Sequence, residues 1–316
     1  MDYRVGFIGL GTIGFPICRN LAQSGADVAA YDVNPRADRA HALGAAGVRM
    51  AASLEDVARD RNVIVTVLPD SAAVETTLLN PELFERIERG TVCVEMSSGY
   101  PTTTIRIGRS LGARGVSMID APICNGSVAG AYERRITLCV GGDAAVLEQV
   151  RPMLGLIAKT FIHVGPLGSG HAVKIVNNAI LMGFSALVEE AMALGVAYGI
   201  EGEKLTSTLR ECSAANVQFD AVSRRVLRAP DGEVVFQLYL AAKDLRYASA
   251  LAGELGSVHL VADALHNLYE IAERVLGPAV EADTAAWNLV QRLDARRRRG
   301  RRDELHAPRR DARPEV

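Results

Sequence analysis

The sequence predicts an α/β domain built on a doubly wound, mostly parallel sheet, followed by an all-α domain. Three observations carry this expectation. Up to about Gly165, short apolar β-branched runs alternate with segments of helix length; a glycine triplet separates the first run from the first segment; beyond Gly165 the hydrophobic period becomes helical with no convincing strand. A chain of 316 residues also exceeds most single cores, so two domains with a cleft between them are expected.

The strand candidates are "VGFIG", "DVAAYD", "NVIVTVLP", "TVCVEM", "VSMIDAP", "ITLCVGG" and "TFIHVG". The long pattern "SGHAVKIVNNAILMGFSALVEEAMALGVAYG" carries Glu189 and Glu190 mid-run and reads as a buried core helix rather than a membrane span. Helical patterns follow over Glu203–Glu211, Asn216–Leu227, Phe236–Glu254, Val258–Val275 and Ala282–Leu293. Residues 294–316 hold nine Arg against five Asp and Glu and almost nothing apolar, so a disordered tail is expected. The domains expected are therefore 1–165, 166–293 and this tail.

Composition excludes several classes. A net charge of −2 points to neither nucleic acid nor an acidic partner. The five cysteines are scattered and without CxxC spacing, so no disulfide framework or zinc site is signalled, and no metal is expected. The chain starts a strand at once without a basic-then-apolar leader, so a cytoplasmic protein is expected.

Gly9, Gly11 and Gly14, with Thr12 and Ile13 between them, occupy a GxGxxG loop that follows a strand and opens the helix "PICRNLAQSG". Such a loop needs its first glycine for the tight turn, its second so that backbone N–H groups approach a pyrophosphate, and its third for close helix packing. The second strand ends in Asp32, 18 residues after Gly14, where a carboxylate accepts from ribose hydroxyls and repels a 2′-phosphate. NAD is the expected cofactor, with NADP open because Arg36 is within reach of a 2′-phosphate. S-adenosylmethionine enzymes also use a glycine loop after a first strand, and the rest of the chain decides between the two.

The motifs "VGFIGLGTIGFPICRNLAQSGADVAAYDVNP", "TVLPD", "VEMSSGYP", "DAP", "GSGHAVKIVNN" and "KDL" fall in the order and at close to the spacing of the β-hydroxyacid dehydrogenase family. The chain resembles that family, which includes 3-hydroxyisobutyrate dehydrogenase and tartronate semialdehyde reductase, over residues 1 to about 293. The resemblance implies a Rossmann domain, a C-terminal domain of the 6-phosphogluconate dehydrogenase type, and NAD(P)-dependent oxidation of a 3-hydroxy acid or reduction of its semialdehyde. It also implies a homodimer or homotetramer, and that Lys174 is catalytic.

Hydride transfer needs a group that takes or returns the hydroxyl proton and an anchor for the substrate carboxylate. Lys174, among apolar neighbours, is the expected proton carrier, and Asn178, at i+4, is expected to grip the same substrate. By resemblance Lys243 contacts the nicotinamide end, and Leu68, Pro69 and Ser98 lie against the nicotinamide ribose. His163 reads as a satisfied core residue, while His171 is a weaker candidate than Lys174. The family's substrate turn, DAPVSGG, is rewritten here as "DAPICNGSVAGAYERRITL". Cys124, Asn125, Gly126 and Ser127 are the substrate-binding candidates, with the Asn125 amide and Ser127 hydroxyl as donors. Two other readings stand beside the dehydrogenase: imine or ketone reduction on the same scaffold, and a non-catalytic nucleotide-binding module. In the second of these, the Arg-rich tail would meet phosphates.

Overall fold

The computed structural model describes residues 3–228, 234 and 236–293; the Arg-rich tail lies outside the described residues. The chain divides into two compact units, Met1–Asn177 and Asn178–Val316.

The first unit is built from β1 (Arg4–Ile8), α1 (Gly14–Gln23), β2 (Asp27–Tyr31), α2 (Ala37–Ala45), β3 (Arg49–Met50), α3 (Leu54–Ala58), β4 (Val63–Thr66), α4 (Ser71–Leu78), α5 (Pro81–Phe84), β5 (Val92–Glu95), α6 (Pro101–Gly112), β6 (Ser117–Asp120), β7 (Ile123–Asn125), α7 (Val128–Tyr132), β8 (Thr137–Gly141), α8 (Ala144–Leu154), β9 (Thr160–Gly165) and the first turns of α9 (Ser169–Tyr198). The strands order as β3-β2-β1-β4-β5-β6-β8-β7, with β9 on β8. The first six are parallel, so the chain reverses direction across the sheet between β1 and β4, where doubly wound sheets bind ligands. Two apolar layers sandwich the sheet: Phe7, Ile17, Leu21, Leu43 and Leu154 lie on one face, Ile64, Leu78, Ile107 and Leu111 on the other. Each such fully buried side chain contributes about 1.5–3 kcal/mol relative to exposure.

All seven expected strands form. Two more, β3 and β7, were not expected: at two and three residues they are too short to display any period. The sheet is also not parallel throughout, since β8 runs antiparallel to β6 and to β7 while β9 returns parallel to β8. His163, expected in the core, is exposed on the edge strand β9, its Nε2 2.8 Å from the Gly142 carbonyl.

The second unit holds the rest of α9 with α10 (Gly202–Leu209), α11 (Val217–Arg228), α12 (Leu238–Leu255), α13 (Leu260–Leu276), a 3-10 turn at Ala282–Thr284 and helix over 285–293. Its core joins Met182 and Ala186 of α9 to Leu238, Ala241 and Leu245 of α12 and Tyr269 of α13. Helix α9, expected as a buried core helix, is long and apolar enough to cross a membrane by length and composition, and only part of it is buried: one face is in the core while Ile180 (57% exposed), Phe184, Leu187 (65%), Leu194 and Tyr198 form a stripe on the other.

Candidate active site

The glycine loop has the sterics its spacing predicts. Gly9 turns at φ +102°, and a Cβ there would lie 2.2 Å from the Val67 carbonyl oxygen; one on Gly14 would lie 2.0 Å from the carbonyl oxygen of Gly9. Gly11 differs, because a Cβ there would meet nothing within 4 Å. The first and third glycines are thus required by the fold, and the second borders open space. Helix α1 starts beside it with no side-chain cap and no acidic residue in its first turn, leaving its N–H groups and positive dipole end to an anion. Thr12 is exposed and Ile13 half-buried at this edge. A dinucleotide pyrophosphate fits these residues.

Asp32, just past β2, ties the loop down: its carboxylate accepts from the backbone N–H of Leu10 (2.6 Å) and of Asn34 (2.8 Å). Each carboxylate oxygen keeps a lone pair for a ribose hydroxyl. Arg36 is engaged through both Nε and Nη2 with Asp38, at 3.1 and 3.0 Å, so its fork already faces a carboxylate. At the ends of β4 and β5, the Leu68 N–H donates to Ser97 Oγ (2.8 Å), which joins the half-buried Leu68 and the exposed Pro69 to the segment carrying half-buried Ser98.

Lys174 lies in the second turn of α9 and is half-buried rather than enclosed. Its neighbours Val173 and Val176 (56% exposed) belong to the exposed side of the helix, so apolar flanks did not signal burial here. Its charge reaches one of the substrate-turn candidates, Cys124. Burial pushes the Cys124 thiol up to about 12, helped by a hydrogen bond to Cys139, and the Lys174 ammonium pulls it the other way. Cys124 is thus a neutral wall of this region. Asn125, Gly126 and Ser127 are exposed beside it. Ser127 caps α7, its Oγ accepting from the Gly130 N–H at 3.1 Å, which leaves the hydroxyl proton to donate. Gly126 cannot carry a side chain, since a Cβ would meet Ile136 at 2.6 Å.

Asn178, one turn beyond Lys174 on α9, is buried and donates its amide to Asp244 of α12. Lys243, also buried, pairs with the same carboxylate at 3.1 Å and lies 5.2 Å from the centroid of Tyr247. The second unit therefore joins Asn178, Asp244 and Lys243 in one chain of contacts. Asp244 was not among the candidates; its place in "AAKDL", next to a lysine, was the available signal.

Sequence reasoning also missed a buried cluster in the first unit. Glu95 ends β5, which is wholly buried, and Asp120 ends β6, which is buried but for its first residue, so both carboxylates stand at the last positions of core strands. His171 Nε2 sits 2.6 Å from Glu95 Oε2, an ion pair off the line of a hydrogen bond, and His171 Nδ1 is 2.8 Å from Thr104 Oγ1. Asp120 accepts the backbone N–H of Gly168 and of His171, both at 2.7 Å. Burial works against charge at both members of the pair, but their attraction outweighs it, so His171 titrates above its ordinary range and Glu95 below.

A doubly wound sheet with this glycine loop and an acid just past β2 marks a dinucleotide-binding protein. Residues 4–165 match the NAD binding domain of 6-phosphogluconate dehydrogenase, and residues 168–290 the NAD-binding domain of NADP-dependent 3-hydroxyisobutyrate dehydrogenase. The chain is 34% identical over 291 residues to 2-(hydroxymethyl)glutarate dehydrogenase of Eubacterium barkeri, covering 92% of this chain and 95% of that one. It is 33% identical to NAD-dependent L-serine dehydrogenase of Pseudomonas aeruginosa, covering 85% and 91%. Among solved structures, a Mycobacterium tuberculosis 3-hydroxyisobutyrate dehydrogenase with L-serine matches with a TM-score of 0.81 at 23% identity, covering 92% of this chain and 99% of that chain. The protein belongs to the β-hydroxyacid dehydrogenase family, and is an oxidoreductase that uses NAD, with NADP also compatible.

Proposed function

We propose that this enzyme interconverts a small 3-hydroxy acid and its semialdehyde with NAD as the preferred coenzyme. The observation that carries the reading is that the glycine loop, Asp32 and the half-buried Lys174 fall within one compact unit together with the rewritten 124–127 turn. A bound nicotinamide supplies or accepts hydride at its C4. Lys174 then delivers a proton to the carbonyl oxygen in reduction and takes it from the hydroxyl in oxidation, while the Asn125 amide and Ser127 hydroxyl hold the carboxylate. NAD is favoured because Asp32 sets a negative charge at the ribose position and Arg36 is occupied by Asp38. A relative named for a hydroxymethyl acid and another named for L-serine support a substrate bearing a primary alcohol near a carboxylate.

The test is Lys174→Met assayed with NAD(H) on a panel of 3-hydroxy acids and semialdehydes. Turnover should fall by about 10²–10⁴ while NADH binding, read by fluorescence titration, stays near that of the native enzyme. Undiminished turnover removes the lysine from the chemistry. The exposed stripe on α9 supports a second part of the proposal, that a second copy of this chain covers it, since apolar surface along a helix face so long is uncommon on a monomer.

A further inference from the structure

We infer that His171, held as an imidazolium between Glu95 and Asp120, is a positioning residue that fixes the first turn of α9 and thereby the placement of the Lys174 amine. The inference rests on Lys174 being the proton carrier.

The contacts of the ring fit a doubly protonated imidazole. Thr104 Oγ1 lies 3.1 Å from the Tyr100 carbonyl and 2.8 Å from His171 Nδ1; with its proton on that carbonyl, the hydroxyl accepts from an Nδ1–H. Glu95 Oε1 takes the Ser97 N–H at 2.8 Å, and its Oε2 lies 2.6 Å from Nε2 in an ion pair off the line of a hydrogen bond, a contact that attraction between imidazolium and carboxylate sustains. The ring is entirely enclosed, and Gly99 is a glycine for this reason, because a Cβ at that position would stand 2.7 Å from the ring. On the other side, Asp120 bonds two N–H groups at the start of α9, as a cap contributed by a strand; Gly141 and Gly170 make room for it, since a Cβ on either would come within 2.7 Å of its carboxylate oxygens.

The consequence is a rigid linkage. Glu95 also orders Ser97, whose hydroxyl holds the Leu68 N–H, so the loops after β4 and β5 and the origin of α9 share one buried carboxylate and one imidazolium. Lys174 follows His171 by three residues, less than one helical turn, so a fixed His171 fixes the point from which the amine departs. Two carboxylates against one imidazolium leave the cluster with excess negative charge, which the helix N–H groups offset.

The experiment compares the native protein with Glu95→Gln/His171→Gln, which removes both charges of the pair together, and with Thr104→Val, which keeps both charges and removes the hydroxyl at Nδ1 with its bond to the Tyr100 carbonyl. The first readout needs no coenzyme: acylation of Lys174 followed against pH by peptide mass spectrometry, with the exposed Lys159 and Lys204 as internal references. The double variant should change the Lys174 labelling rate by at least about threefold relative to the references, and kcat should drop about tenfold or more with KM and NADH affinity within about threefold; Thr104→Val should move the same readouts in the same direction by less. Unchanged labelling and unchanged kcat overturn the proposal. So does a kcat loss matched by equal losses of NADH binding and thermal stability, which would make the cluster a structural fastening only. Lys174→Met separates the two readings: if that variant turns over like the native enzyme, the proton-carrier role fails, while the labelling data still decide whether His171 places the amine.

Discussion

At the scale of single residues, the glycines of the loop separate what the fold needs from what the ligand needs. Gly14→Ala forces a Cβ onto the Gly9 carbonyl, so it should lower the melting temperature by several degrees as well as abolish coenzyme binding, both visible in one thermal-shift series with and without NADH. Gly11→Ala has room in the free protein and should leave the melting temperature nearly unchanged while weakening NADH binding about tenfold or more. Asp32→Ser should weaken NAD relative to NADP by about tenfold, measured as the ratio of kcat/KM values. These residues were legible because their requirement is local: a turn, a close approach and a strand end within one stretch of chain. His171 with Glu95 and Asp120 was not, because its partners lie far away in sequence and only the sheet brings the ends of β5 and β6 to one helix.

At the scale of elements, long apolar runs announced their strands, whereas β3 and β7 borrow their conformation from the neighbours they pair with. The antiparallel place of β8 leaves no trace in its own residues, because a buried strand reads the same in either direction. Helix α9 was legible in length but not in environment. Glu189, on its buried face, accepts from the Trp287 N–H at 2.8 Å, and burial, with Glu281 and Glu190 nearby, pushes it up to about 8. A carboxyl that titrates higher when folded than when unfolded favours the folded state only while protonated. Its contribution therefore falls as pH rises from the ordinary carboxyl range to about 8 and is constant above. Glu189→Gln should accordingly stabilise the protein at pH 8 by on the order of 1–4 kcal/mol and by much less at pH 5, read from urea unfolding at the two pH values.

At the scale of the whole molecule, the exposed face of α9 makes the association state the first thing to measure. Phe184→Glu/Leu187→Glu places two charges on that stripe and should convert an assembly into monomers by light scattering, with the helical signal in circular dichroism retained; a native protein that is already monomeric would refute the covering by a second copy. Two architectures in one chain were legible from the change in period near Gly165, but the place where the compact units divide was not, because one unbroken helix runs through it and a helix hides such a seam from any reading of sequence period. That seam has an evolutionary corollary. The glycine loop, the rewritten turn and Lys174 all precede it, while Asn178, Asp244 and Lys243 follow it, so inherited changes on its two sides fall on separately packed cores.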